Sequence, residues 1–350
     1  MCEEKKVRKW GRKSSEKHVV LCIYGLCAIM ITTLFFGGCS VAGTKSEKNL
    51  KDSKIVVLFP GKIGDLSWND MNYEGVEICR EKYNIDIKCE FNVQETEFEL
   101  MLAYYGKQKY DLILASGMQF NEAVNTVAPS YPDTTFCIIN GSKCEHSNIA
   151  LINIKEYEAS YLASVIAGNI EENGNIGMIA GYPNSAMKQL LDVYEKNMKG
   201  LLQKRGIVYE SSYRAYTNSW ADENLGRKIA NQMIESGVDM LFVYTNEAGL
   251  GCIQAAQEKD AKIIGFCSDS TKEYPDTVIA SVKFNADKIY EHIFDLYVSG
   301  KLKGDDIDIG VKEGIFEAVY SKHIPEEVRG KVSEEMEDFQ NRMHSIDMGR

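Results

Sequence analysis

The strongest constraint on this chain is an alternation of short apolar runs with helical patterns, and the fact that the alternation starts twice. Residues 54–73 read KIVVLFPGKIGDLSWNDMNY. Their first part, Ile55 to Phe59, is β-branched and large apolar, as in a strand buried on both faces of a parallel sheet. Pro60 and Gly61 end it. A helix follows from near Ser67, with Met71, Val76 and Cys79 toward one face. The spacing then predicts strands over 85–92, 110–117, 134–140 and 148–154, with helices over 95–106 and 119–130. Short connections between alternating elements give a mostly parallel, doubly wound sheet.

The pattern restarts with an apolar helix over 157–170, a strand over 175–181 and a long amphipathic helix over 185–205. It continues through 207–216, 222–236, 239–245 and 262–268. Two successive βα runs imply two lobes with a cleft between them. The expected boundaries are 54–155 plus 284–320 for the first lobe and 156–283 for the second. A charged, helical tail over 321–350 is expected to be peripheral.

In an open α/β sheet, ligands sit beyond the carboxyl ends of the strands. The loop after the first strand therefore carries Asp65, Trp68, Asn69 and Tyr73 toward a ligand position. Two rings with an acid and an amide suit a flat, hydrogen-bonding molecule. The local alternative is that the rings pack under the loop while Asp65 and Ser67 cap the helix. Gly117 and Asn140 end the third and fourth strands, where backbone can approach a ligand.

The formal net charge is -11. Residues 1–39 hold seven Lys/Arg and three Asp/Glu, so the rest of the chain is more acidic still, at -15. An acidic body with no basic cluster excludes nucleic-acid binding as the expected role. The ten cysteines show no CxxC spacing, which argues against a zinc site. Those of the body lie mostly in apolar runs and read as buried thiols, with Cys137 and Cys144 the candidate disulfide. The five histidines are scattered without a paired nucleophile. No phosphate-binding glycine motif is present, so neither catalysis, cofactor nor metal is expected. Asn140-Gly141-Ser142 matches the glycosylation sequon and is read as coincidence.

At the N-terminus a basic segment precedes an apolar stretch over 19–36 and then Gly-Gly-Cys-Ser at 37–40. This is the order of an export signal. It is similar to a bacterial lipoprotein signal, which would lipidate Cys39 and leave 40–53 as a flexible tether. The alternative is an uncleaved anchor, since the stretch is nearly long enough to span a bilayer. In both readings the body is extracytoplasmic and held at the cell membrane.

Several segments in order carry a family resemblance. They are DLSWN at 65–69, YDLILASG at 110–117, YPDTTFCIIN at 131–140, YEASYLASVIAG at 157–168, NSWAD at 218–222 and GFCSDS at 265–270. Together they resemble the basic membrane protein family, substrate-binding lipoproteins of ABC importers, several of which bind purine nucleosides. The resemblance implies a type I periplasmic-binding-protein fold and permease subunits as partners. It implies that Asp65, Asn69, Glu158 and Asp269 hydrogen-bond a nucleoside-like ligand, with Trp68, Tyr73 and Trp220 stacking on it. The chain departs from the family pattern at Cys267, where nucleoside binders have Asp, at Ser270 in place of Gln, and at Phe284 in place of Lys. The DLSW…YEG run also looks like the Med-type regulatory lipoproteins, so a sensor or regulator without transport is the alternative function.

Overall fold

The structure is a computed structural model and describes residues 49–65, 67–142 and 144–341. Cys39, the apolar stretch before it and the last nine residues lie outside the described residues. Among the described residues no helix is long and apolar enough to cross a membrane.

The first sheet is built from β1 (Ile55–Leu58), β2 (Ile87–Glu90), β3 (Leu112–Ser116), β4 (Thr135–Ile139), β5 (Ile149–Ile154) and β11 (Asp306–Ile309). Its order is β11-β5-β4-β3-β1-β2 and every pairing is parallel. Helices α1 (Trp68–Tyr83), α2 (Phe98–Lys107) and α3 (Asn121–Val127) connect its first four strands. The run Ile55 to Phe59 is buried throughout because β1 is central and covered on both faces. Asn84 ends α1 in the left-handed region and donates its N–H to the Arg80 and Glu81 carbonyls, closing the helix as a C-terminal cap does.

The second sheet holds β6 (Asn175–Ala180), β7 (Ser211–Tyr216), β8 (Met240–Tyr244), β9 (Lys262–Cys267), β10 (Val278–Phe284) and β12 (Phe316–Tyr320). Its order is β12-β10-β9-β8-β6-β7, parallel except for the antiparallel β10–β12 pair. Helices α4 (Glu156–Ile170), α5 (Ser185–Lys204), α6 (Glu223–Glu235) and α7 (Ala248–Lys259) cover it. Both sheets are mostly parallel and flanked by helices, the architecture of type I periplasmic binding proteins. In each sheet the strand order reverses beside its first strand, between β1 and β3 and between β6 and β8. The carboxyl ends at those two points are where ligands bind in such sheets.

The chain passes between the sheets three times. It leaves the first after β5 and re-enters it through α8 (Ala286–Val298) and β11. It then departs again for β12. Gly75 lets α1 lie directly on α8, since a Cβ there would stand 2.7 Å from the Ala286 backbone. The buried Tyr290 hydroxyl and Asn72 Oδ1 hydrogen-bond across the same contact at 3.2 Å.

Three sequence expectations change. Residues 316–320, assigned to the first lobe, pair with β10 in the second sheet. The tail is not peripheral: α9 (Glu326–Asn341) buries Val328 and Val332, and the Tyr161 hydroxyl donates to Glu335 Oε2 at 3.0 Å. An apolar stripe hidden among acids decides its position, not its charge. The cysteines at 79, 89, 137, 144, 252 and 267 are all free thiols. Cys137 is buried in the sheet core, while Cys144 donates to the Ile149 carbonyl at 3.0 Å, so the candidate disulfide does not form.

Candidate functional site

Loops at the strand ends of the two sheets meet along a seam. On the first lobe, the β1–α1 loop folds over the buried Asp65 carboxylate. Its Oδ1 accepts the N–H of Ser67 at 3.0 Å and of Asp70 at 3.1 Å. Its Oδ2 accepts the N–H and Nδ2 of Asn69 at 2.9 and 2.8 Å. Burial pushes the Asp65 carboxyl up, and these donors oppose the rise. Asp65 thus fills the anion seat that a helix N-terminus offers.

Trp68 is 7% exposed, and its indole Nε1 donates to the Ser116 carbonyl at 3.1 Å. The ring lies beside Gly117, whose φ of +133° suits glycine. Among the described residues, Asn69 Oδ1 on α1 and Ser116 Oγ at the end of β3 are buried without a hydrogen-bond partner. Each leaves a desolvation cost uncompensated.

On the second lobe, Trp220 lies on the backbone of Gly181, where any side chain would collide with the ring. Its ring centroid is 5.5 Å from Tyr182 and 6.2 Å from Tyr244. Tyr244 ends β8, and Phe266 stands 4.7 Å from it. These rings form an apolar wall on the seam side of the second sheet.

Polar bonds join the two lobes. Glu156, at the first turn of α4, accepts from Asn140 Nδ2 at 2.8 Å and from the Tyr244 hydroxyl at 2.9 Å through the same oxygen. Asn140 takes the left-handed conformation at the end of β4, and its Oδ1 accepts the Ile154 N–H at 2.8 Å. Burial pushes the Glu156 carboxyl up to about 7, against the pull of those two donors. Ser67 Oγ donates to Asn246 Oδ1 at 3.2 Å, and Asn184 Nδ2 reaches Met118 Sδ at 3.5 Å. Cys267 ends β9 in the left-handed region, uncommon for a side chain of its kind. Its thiol is pushed up by burial and, less, by the charges of Asp65 and Glu156.

Asp65, Asn140 and Trp220 are therefore brought to one seam, gathered about Tyr244 and Glu156. Trp68 and Asn69 begin α1 just after Asp65, and Gly117 follows β3 beside the Trp68 ring. Three residues have partners elsewhere. Glu158 accepts the Val311 N–H at 2.9 Å, at the third crossing between sheets. Tyr73 stands edge-on to Phe59 and Phe91 at 6.4 and 5.1 Å. Burial would raise the Asp269 carboxyl, but bonds from Thr271 and the Lys272 ammonium outweigh it and hold it low.

Sequence reasoning missed Glu156, Tyr244, Ser67 and Asn246 as seam residues. The available signal was position: Tyr244 lies at the carboxyl end of a predicted strand and Asn246 just beyond it, as Asp65 lies beyond the first strand. The cavity bordered by Asp65, Ser67, Asn246, Phe266 and Ser270 measures about 40 Å³. That is room for a water or two, far below the roughly 300–1,000 Å³ of ligand pockets. A larger groove of about 360 Å³ between β7 and α6 lies away from the seam. Its one cation, Arg214, is already paired with Asp192 and Glu195. Among the described residues no cluster of His, Cys, Asp and Glu is arranged to hold a metal.

The chain is similar to several known proteins. The chain is 25% identical to the transcriptional activator protein med of Bacillus subtilis over 298 residues, covering 83% of this chain and 88% of that one. It is 24% identical to a purine-binding protein of Brucella abortus over 288 residues, covering 81% and 79%. Among solved structures, an ABC transporter solute-binding protein of Aeropyrum pernix superposes with a TM-score of 0.72 at 22% identity, covering 82% of this chain and 91% of that chain. A transcriptional activator of the comK gene from Bacillus halodurans gives 0.71 at 20% identity, covering 83% and 99%. The family model Bmp, described as ABC transporter substrate-binding protein PnrA-like, matches residues 52–346. The chain belongs to this family of PnrA-like ABC transporter substrate-binding proteins.

Proposed function

We propose that this protein is an extracytoplasmic lipoprotein, anchored through Cys39, that binds a planar, nucleoside-like solute between its lobes and hands it to the permease of an ABC importer. The observation that carries the reading is a pair of partnerless buried atoms on the first lobe, Asn69 Oδ1 on α1 and Ser116 Oγ at the end of β3, the latter on the residue whose carbonyl accepts from the Trp68 indole. A solute that hydrogen-bonds them while lying against aromatic rings offsets their desolvation cost. The purine-binding relative in Brucella abortus supports a ring-bearing ligand. Admission of such a solute requires the lobes to part, since the seam cavity is only about 40 Å³. Asp65 already occupies the N-terminus of α1 and Glu156 is buried nearby, so an uncharged solute fits better than a phosphorylated one. Binding is the proposed activity, with the solute released unchanged.

Isothermal titration of the purified protein with purine and pyrimidine nucleosides tests the reading. Heat that saturates with at least one of them is expected; no heat with any of them overturns it.

A second reading is a membrane-held sensor or regulator of the Med type. It is favoured by the bonds that already tie the lobes through protein groups, Ser67 to Asn246 and Asn140 through Glu156 to Tyr244. Neighbouring genes for an ATPase and a permease favour transport, and their absence favours regulation.

A further inference from the structure

The sequence contains two Asn-Gly pairs, Asn140-Gly141 and Asn173-Gly174. Glycine places no side chain between its own nitrogen and the preceding side-chain carbonyl. That nitrogen can therefore close a five-membered imide on the asparagine, one reason asparagine is chemically labile. The first pair lies at the seam. Asn140 Nδ2 donates to Glu156 Oε1 at 2.8 Å, and Oδ1 accepts from Ile154 N at 2.8 Å. Gly141 is held in place by packing: a Cβ there would stand 2.7 Å from Leu151 Cδ2 and 3.0 Å from Ile138 Cγ2. The fold thus keeps a labile pair where its asparagine ties the first lobe to Glu156.

We propose that Asn140 is a site of spontaneous deamidation, gated by its bond to Glu156, and that the product unties the lobes. The Gly141 main-chain nitrogen loses its proton to hydroxide and attacks Asn140 Cγ. The Cγ–Nδ2 bond breaks and Nδ2 leaves as ammonia. Water then opens the imide at either carbonyl, giving aspartate or isoaspartate. One water enters, one ammonia leaves, and nothing is oxidised or reduced. The bonds to Glu156 and Ile154 hold the amide, so both attack and departure wait on release of Nδ2. Afterwards a carboxylate stands where a donor stood. It faces Glu156 with no hydrogen to offer, and the charge of Asp65 lies close to the same cluster. Above about pH 7, where Glu156 is ionised, a bond becomes a repulsion.

Asn173 supplies an internal reference. Its Oδ1 accepts the Asn175 N–H at 2.8 Å and its Nδ2 donates to the Gly237 carbonyl at 3.0 Å, both within the second lobe. The full chain is incubated in mildly alkaline buffer and sampled by peptide mapping that separates Asn, Asp and isoAsp at both positions. Conversion at 140 is expected in the wild type. It should rise several-fold, relative to 173, in Glu156→Ala, and by less in the isosteric Glu156→Gln. Asn140→Asp should expand in X-ray scattering against the fresh wild type. Equal acceleration at both pairs in Glu156→Ala marks loss of fold in that variant, and Glu156→Gln then decides. An intact Asn140 after Asn173 has converted overturns the proposal. So does a 140-to-173 ratio that neither variant changes.

Discussion

Glu156→Gln is the sharpest perturbation of the seam. The carboxyl is buried, receives two donors, and is pushed from its ordinary 4.5 to about 7 by burial. The unfolded chain releases this proton near 4.5, whereas the folded chain keeps it until near 7. The folded state therefore holds the extra proton through that window, and wild-type stability falls as pH rises across it. At 1.36 kcal/mol per unit the full fall is about 3 kcal/mol. The glutamine carbonyl can accept the same two donors, so the exchange itself costs about 1 kcal/mol or less. Near pH 4.5 the two proteins should then be nearly equal in stability. By pH 8 the variant should be the more stable by about 2–3 kcal/mol. Equilibrium denaturation at both pH values reads the difference directly. Glu171, also pushed up to about 7 by burial, contributes equally to both proteins and cancels. A stability gap that does not change between the two pH values refutes the assignment of Glu156 as a buried, strained acid.

Trp68→Ala should cost about 3–5 kcal/mol of stability, because the indole is buried and hydrogen-bonded to Ser116; a ring that only stacks on solute would leave denaturation unchanged. Ser67→Ala removes a bond between lobes and should weaken their closed arrangement by about 1 kcal/mol, seen as a larger radius of gyration in solution scattering. Gly75→Ala forces α1 from the Ala286 backbone and should lower stability by about 1–3 kcal/mol in a thermal melt.

The first strand and its helix were legible because their signals are local. The apolar run at β1 can only be buried on both faces, and Pro60-Gly61 stops it. β12 was placed with the wrong lobe because sheet membership is not local: its antiparallel partner, β10, lies across a whole helix and strand. Asp65 could not be resolved from its loop, where a capping acid and a ligand acid look alike; only the four N–H groups around it decide. Glu156 and Glu158 share the first turn of α4 but stand roughly 200° apart around it. No local pattern says which one faces the seam. The hydroxyl that marks Glu156 comes from a residue 88 positions away.

The threefold passage of the backbone has a consequence for how the protein is made. Neither half is a continuous stretch: one sheet awaits a strand at 306–309 and the other a strand at 316–320. A ribosome must therefore deliver almost the whole chain before either half can complete its own sheet. The two halves mature together, and a truncation before residue 306 leaves both unfinished.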